Sequence, residues 1–267
     1  MKEILLACDL DNTLIYSYKH RVPGDSCVEW LDGQEQSFMT ERTQALLRQL
    51  PANVRLVPVT TRSKEQYQRI CWPKLAEAAS PQWAVCSNGG LLLAAGEPEP
   101  AWQMEAARLV APYEQVLAEL AYQLRELSEY KRCKMVDDIY LYTVCQDVAE
   151  AEQCLADFYG FGGLQVVRGG RKVYFLPPEI NKGAAVQRLR QRWPEAVLVA
   201  AGDSELDLSM LEEADLALLP NEALAEQLVN PWRLVCPPEA HFAEFVLEKA
   251  TQMQNNKKSP FSELCTR

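Results

Sequence analysis

The sharpest chemical signal in the chain is Asp9-Leu10-Asp11-Asn12-Thr13, placed directly after the apolar run Ile4 to Cys8. Two carboxylates two residues apart repel each other when both are ionised, so the pair asks for a cation. Asp, Asn and Thr are also ordinary turn residues, and the string alone would fit a surface turn. Its position at the end of a buried strand favours a site, because open α/β sheets bind ligands beyond the carboxyl ends of their strands. A second acidic pair stands in Gly202-Asp203-Ser204-Glu205-Leu206-Asp207, after the apolar run Ala196 to Ala201. Capping-box spacing from Ser204 accounts for Asp207 but not for Asp203. Hard oxygen ligands at two strand ends suit Mg²⁺, which typically accepts only one or two carboxylates and keeps several waters.

Lys182 breaks a local rule. Asn181 is a good N-cap, which puts the lysine in the first helical turn, where the helix dipole disfavours a cation. A solvated lysine tolerates that cost; a lysine held against a phosphate and an attacking carboxylate would have a reason for it. Thr60 and Thr61 end another apolar run, Val54 to Val59, and either could offer a hydroxyl to the same phosphate. Arg62, next in the chain, and Asn88, in Ser87-Asn88-Gly89-Gly90, complete the set of candidate phosphate- or substrate-binding residues.

These residues need elements to hold them. Short, continuous apolar runs fit strands buried on both faces, and further ones are Trp83 to Cys86 and Leu216 to Leu219. Ser63 and Gln66 have capping-box spacing for a helix whose Tyr67, Ile70 and Cys71 share one face. Alternation of such strands with amphipathic helices predicts a doubly wound α/β core. The middle of the chain reads differently. Pro112 suits the first turn of a helix carrying Tyr113, Leu117, Leu120, Leu124 and Leu127. Strands Cys133–Val136 and Ile139–Val144 follow, joined at Asp137-Asp138, then a helix capped by Asp147 and stopped at Gly160. Leu164–Arg168 and Arg171–Leu176 flank a two-residue turn at Gly169-Gly170. This α-β-β-α-β-β order predicts an inserted α+β domain. Between Asp11 and a helix near Thr40, Val28–Leu31, Asp32-Gly33 and Gln34–Phe38 read as a hairpin with a type I′ turn, hanging over the first strand's end. The expected organisation is a core of residues 1–94 with a flap at about 27–39, an insertion at 95–178, and the rest of the core at 179–267.

The 267 residues are 48% apolar and 24% charged, enough to bury a core. A net charge of −10 argues against a nucleic-acid binder. Nine cysteines without regular spacing, and only His20 and His241 to join them, read as reduced thiols rather than a zinc site. No stretch approaches the roughly 20 apolar residues of a membrane span, and the first residues lack a signal-peptide run. A cytoplasmic protein is expected, with a polar tail from about Thr251 that is poorly ordered. No oligomeric state is legible.

Together these motifs resemble the haloacid dehalogenase superfamily of phosphotransferases. The D-x-D-x-T motif at Asp9 to Thr13, the strand-end Thr60, Lys182 and the G-D-x-x-x-D motif at Gly202 to Asp207 occur in that family's order across nearly the whole chain. The insertion resembles a C2-type cap, and the branch is similar to Cof-like and sucrose-phosphate-phosphatase-like members. The resemblance implies a Mg²⁺-dependent phosphatase that forms a phospho-aspartate on Asp9 from a small phosphorylated metabolite, a sugar or polyol phosphate by default. It implies Asp11 as general acid and base, Thr60 and Lys182 on the phosphoryl group, and Asp9, the Asp11 carbonyl, Asp203 and Asp207 around the metal. This branch commonly has Thr-Gly-Arg where the chain has Thr60-Thr61-Arg62, and a shorter stretch after the first motif. A phosphotransferase or phosphomutase would use the same residues with another acceptor. A phosphometabolite-binding protein without turnover is opposed by the presence of both Asp9 and Asp11 beside the metal pair and Lys182. A dinucleotide site is opposed by the lack of G-x-G-x-x-G after the first strand. Among cap residues Arg168, Arg171, Lys172, Lys131, Arg132 and Lys134, and flap-side Lys19, His20 and Arg21, some are expected to meet the leaving half of the substrate.

Overall fold

The computed structural model describes residues 2–73, 80–127 and 132–253. Its central sheet has five strands, all parallel, in the spatial order Arg233–Val235, Leu216–Leu219, Val197–Ala201, Ile4–Cys8, Val54–Pro58. Every residue of Ile4–Cys8 and Val197–Ala201 is buried, as the unbroken apolar runs predict for strands covered on both faces. Alternate side chains serve opposite layers. Leu5 and Ala7 pack with Val186 and Leu189 of helix Lys182–Arg192, whereas Ile4 and Leu6 share a cluster with Leu47, Val246 and Leu247 from helices Glu41–Arg48 and Phe242–Gln252.

Register explains why motifs far apart in sequence meet. Cys8 lies opposite both Ala201 and Pro58. Asp9, Gly202 and Val59 therefore leave the sheet at one level. The loop from Asp9 to Thr13, the second acidic motif and Thr60 are all delivered to a common edge.

Trp83–Cys86, Leu91–Ala94 and Glu97–Pro98 form a small antiparallel sheet, joined to the core through a parallel bridge between Val59 and Val85. The cap follows. Its four-stranded antiparallel sheet has the order Gln165–Gly169, Lys172–Leu176, Tyr140–Val144, Lys134–Val136. Leu117, Leu120 and Leu124 of helix Glu114–Glu126, and Ala151 and Cys154 of helix Val148–Asp157, share its apolar cluster with Val173 and Phe175. The flap strands Ser26–Leu31 and Gln34–Met39 are joined by Asp32 and Gly33, both at positive φ (52° and 76°), as a type I′ turn requires.

Several expectations need correction. Cap helicity starts earlier than Pro112, with helix Pro100–Val110, capped by Glu99 accepting from the Trp102 amide; Pro112 lies in a single 3₁₀ turn that follows it. Helix Lys64–Gln68 is too short to carry Ile70 and Cys71, which instead meet the flap through an Ile70–Glu29 bridge and a Cys71 amide bond to the Val28 carbonyl. Gly169 pairs with Lys172, so the cap hairpin turns at Gly170-Arg171, one residue beyond the expected place. Thr251 and Gln252 still belong to the last helix and Met253 caps it; the tail from residue 254 on, and Lys131, lie outside the described residues. No helix among the described residues is long and apolar enough to cross a membrane.

Helix Lys182–Arg192 sits close to the Ser209 backbone, and Gly183 is what permits it. A Cβ on Gly183 would lie 2.6 Å from the Ser209 carbonyl oxygen, a backbone atom that cannot swing away. Gly183→Ala should therefore destabilise the fold by about 1–3 kcal/mol, read as a lower Tm in thermal melting. An unchanged Tm would show that helix Lys182–Arg192 moves away from the Ser209 backbone without cost.

Candidate active site

Lys182 is almost wholly buried, and its ammonium lies 2.6 Å from Asp9 Oδ1 and 2.5 Å from Asp207 Oδ1. The N-cap is as expected, with Asn181 accepting from the Ala184 amide, but the lysine is not solvated. Two buried carboxylates, rather than water, offset its unfavourable place in the first turn. The other oxygen of Asp207 accepts from the Asp203 and Ser204 amides and from Ser204 Oγ. With both oxygens engaged, Asp207 braces Lys182 and the loop that carries Asp203. Carboxylate oxygens of Asp9, Asp203 and Asp207 lie within 4.8 Å of one another. Asn12, held at φ 60° in the turn after the first strand, donates to Asp203 Oδ2 at 3.3 Å.

Asp11 points elsewhere. Arg62 grips its carboxylate with two bonds of 2.8 Å, and the same guanidinium donates to Glu29 Oε2 at 2.8 Å. Glu29 is buried on the flap, where it also receives Ser37 Oγ at 2.6 Å and both Nε and Nη2 of Arg69. Thr60 is fully buried and its hydroxyl accepts from the Arg62 amide, so it shapes the loop; Thr61 is the threonine that lines the cleft. Asn88 departs from expectation. Its Nδ2 donates to the Ile180 carbonyl and its side chain lines a separate cavity beside Asn181 and Leu208, so it ties the two chain segments that enter and leave the cap.

A cleft of about 410 Å³ opens over Asp9, Asp11, Lys182 and Asp203, roofed by Gly169, Gly170, Arg171, Lys172 and Tyr174 of the cap. It adjoins a second space of about 320 Å³ walled by Gln36 and Ser37 of the flap, Gln66 and Arg69 of the core, and Tyr142 of the cap. Of the basic residues expected at the leaving half, Arg171 and Lys172 reach the cleft. Arg168 instead faces Glu152 at 3.7 Å, and Arg21 pairs with Glu35 at 2.7 Å and covers the Phe38 ring. Lys19, His20, Arg132 and Lys134 are exposed and line neither space. Sequence reasoning does not single out Glu29, Arg69, Gln36 or the cap tyrosines. The one sequence signal for Glu29 is a carboxylate inside an otherwise strand-like run.

Electrostatics point to a cation. Burial pushes the Asp9 carboxyl well up; Lys182 opposes this, while Asp207, Asp203 and Asp11 add to it. Burial and then Asp207 push Asp203 up to about 7. Three clustered carboxylates with one ammonium fit a hard divalent ion, whose charge would reverse these shifts. For Asp11, whose side chain is half exposed, desolvation works against the carboxylate, but the hydrogen bonds and charge of Arg62 outweigh it and hold the group below its usual value. A folded-state value raised above the unfolded one contributes stability at low pH that is lost as pH rises through it. In chelator, Tm should therefore fall as pH rises from about 5 to about 8, and Mg²⁺ should restore more of it at the higher pH. A Tm that rises over that range in chelator would contradict the raised Asp203 value.

Residues 2–233 match the family described as sucrose-6F-phosphate phosphohydrolase. No curated protein matches the chain. Among solved structures, the sucrose-phosphatase of Synechocystis, in complex with sucrose and phosphate, aligns with a TM-score of 0.64 and 17% identity, covering 93% of this chain and 96% of that one. A trehalose-6-phosphate phosphatase related protein aligns at 0.57 and 15% identity, covering 94% and 98%. A haloacid dehalogenase-like hydrolase from B. subtilis aligns at 0.54 and 17%, covering 92% and 99%. At such identities the likeness is one of fold, and it includes the parallel core with its cap. The match over most of the chain shows the rest: the protein belongs to the sucrose-6F-phosphate phosphohydrolase family of haloacid dehalogenase-type phosphatases.

Proposed function

We propose that the chain hydrolyses a small sugar phosphate through a phospho-aspartate on Asp9. The observation that carries this reading is the Lys182 ammonium bridging Asp9 and Asp207 at the floor of a capped cleft. Asp9 attacks phosphorus while the bond to the leaving oxygen breaks, and Asp11, entering the step protonated against the pull of Arg62, supplies the proton that oxygen needs. Water then attacks the phospho-aspartate, Asp11 takes its proton, and Asp9 is regenerated with release of inorganic phosphate. Lys182 and the Thr61 hydroxyl bind the phosphoryl oxygens, as preorganised donors should. Asp9, the Asp11 carbonyl and Asp203 would hold Mg²⁺, with Asp207 behind them, and the ion would neutralise charge on the phosphoryl group.

The lining of the second space supports the substrate class. Gln36, Ser37, Gln66 and Arg69 offer hydrogen bonds and Tyr142 offers a ring face, a lining suited to a hydroxyl-rich leaving group. The family's description and the sucrose bound in the Synechocystis enzyme point the same way. These contacts lie on the flap, the cap and one short core helix with the residue that ends it, whereas the phosphoryl-binding residues lie on the core alone.

Phosphate release from a panel of sugar monoesters with Mg²⁺ tests this reading. Asp9→Asn should lower turnover by roughly 10³-fold or more with an unchanged Tm, and a metal-fluoride phosphate mimic should bind against Asp9 in the wild-type protein. Full activity of Asp9→Asn, or full activity in excess chelator, would reject the mechanism.

A further inference from the structure

The flap contributes a buried carboxylate to the core, and its placement requires irregular backbone. Val28 and Glu29 are adjacent in a strand yet both buried, because the pairing with Gln34–Met39 shifts register on each side of Glu29. Such bulges re-aim a side chain. Here they turn Glu29 inward, between Arg62 and Arg69, while its backbone bridges to Ile70.

We infer that Glu29 is a positioning residue for the reaction, acting on Asp11 through Arg62. The geometry is a chain of three groups: Glu29 Oε2 receives Arg62 Nη1 at 2.8 Å, and Nε and Nη2 of that planar guanidinium hold the two Asp11 oxygens at 2.8 Å each. A guanidinium gripped on one edge presents its other edge in one orientation. Ser37 Oγ, on the second flap strand, bonds Glu29 at 2.6 Å and receives Arg62 Nη2 at 3.2 Å, so both flap strands bear on the same arginine. Arg69 occupies the other Glu29 oxygen and keeps the carboxylate from rotating. The flap thus sets where the Asp11 carboxyl rests, in addition to walling the leaving-group space. Neither Glu29 nor Arg69 lines the cleft over Asp9 and Lys182, although both border the adjoining leaving-group space.

The inference rests on Asp11 protonating the leaving oxygen, and the test separates the two claims. kcat/KM is measured for an alkyl monoester, whose leaving group needs a proton, and for p-nitrophenyl phosphate, whose leaving group does not. Glu29→Gln and Glu29→Ala should each lower kcat/KM about 10- to 100-fold for the alkyl ester and less than about 3-fold for the aryl ester. Because the readout is a ratio within one preparation, loss of folded protein cancels. In an Arg62→Ala background, the same Glu29 substitutions should leave the ratio unchanged, since the connecting group is gone. Equal losses on both esters, or a full additional effect without Arg62, would overturn the inference and leave Glu29 a packing residue. Asp11→Asn should show the alkyl-selective loss by itself; if it treats the esters alike, the general-acid role fails and the inference falls with it.

Discussion

A single buried ammonium organises this molecule. Taking Lys182 out of water costs several kcal/mol unless its partners are in place, and those partners come one from each half of the core. Asp9 ends the first strand, Asp207 follows the strand Val197–Ala201, and Lys182 opens the helix after the cap. The cation is therefore satisfied only when the two halves of the core have come together in register. The same contacts place Asp9, the proposed nucleophile, so assembly of the fold and assembly of the proposed site are one event.

Around that fixed floor, many of the groups that line the adjoining space are borrowed from insertions. The flap supplies Gln36 and Ser37, and the cap supplies Lys172, Tyr142 and Tyr174. Lys172 is exposed at the cleft, and desolvation by its neighbours lowers its ammonium, with Asp11 opposing and Arg62 adding to the effect.

The core is legible in the sequence because its signals are short-range. Strand ends, acid spacing and the Asn181 cap are written within a few residues, and Asp9, Lys182, Asp203 and Asp207 do converge. Glu29 is illegible because a bulge breaks the alternation from which burial is read, and Arg69 because its partner lies 40 residues away. Asn88 misleads for the opposite reason: a strong local turn signature marks a conformation, here φ 57°, without saying that the side chain faces the substrate. Helix Pro100–Val110 escapes a sequence reading because Pro112 offers a plausible start further on.

The loop Thr60–Lys64 carries Arg62, and it is grasped from two sides. On the cap side, the Tyr140 hydroxyl donates to the Thr61 carbonyl, and Asp137 accepts from the Lys64 amide. On the flap side, Glu29 holds Arg62 itself. The flap and cap walls of the cleft are thus anchored to one short post. Any tilt of the cap that keeps its hydrogen bonds carries this post along, and the flap with it, so the chamber's walls behave as a linked pair rather than as two independent doors.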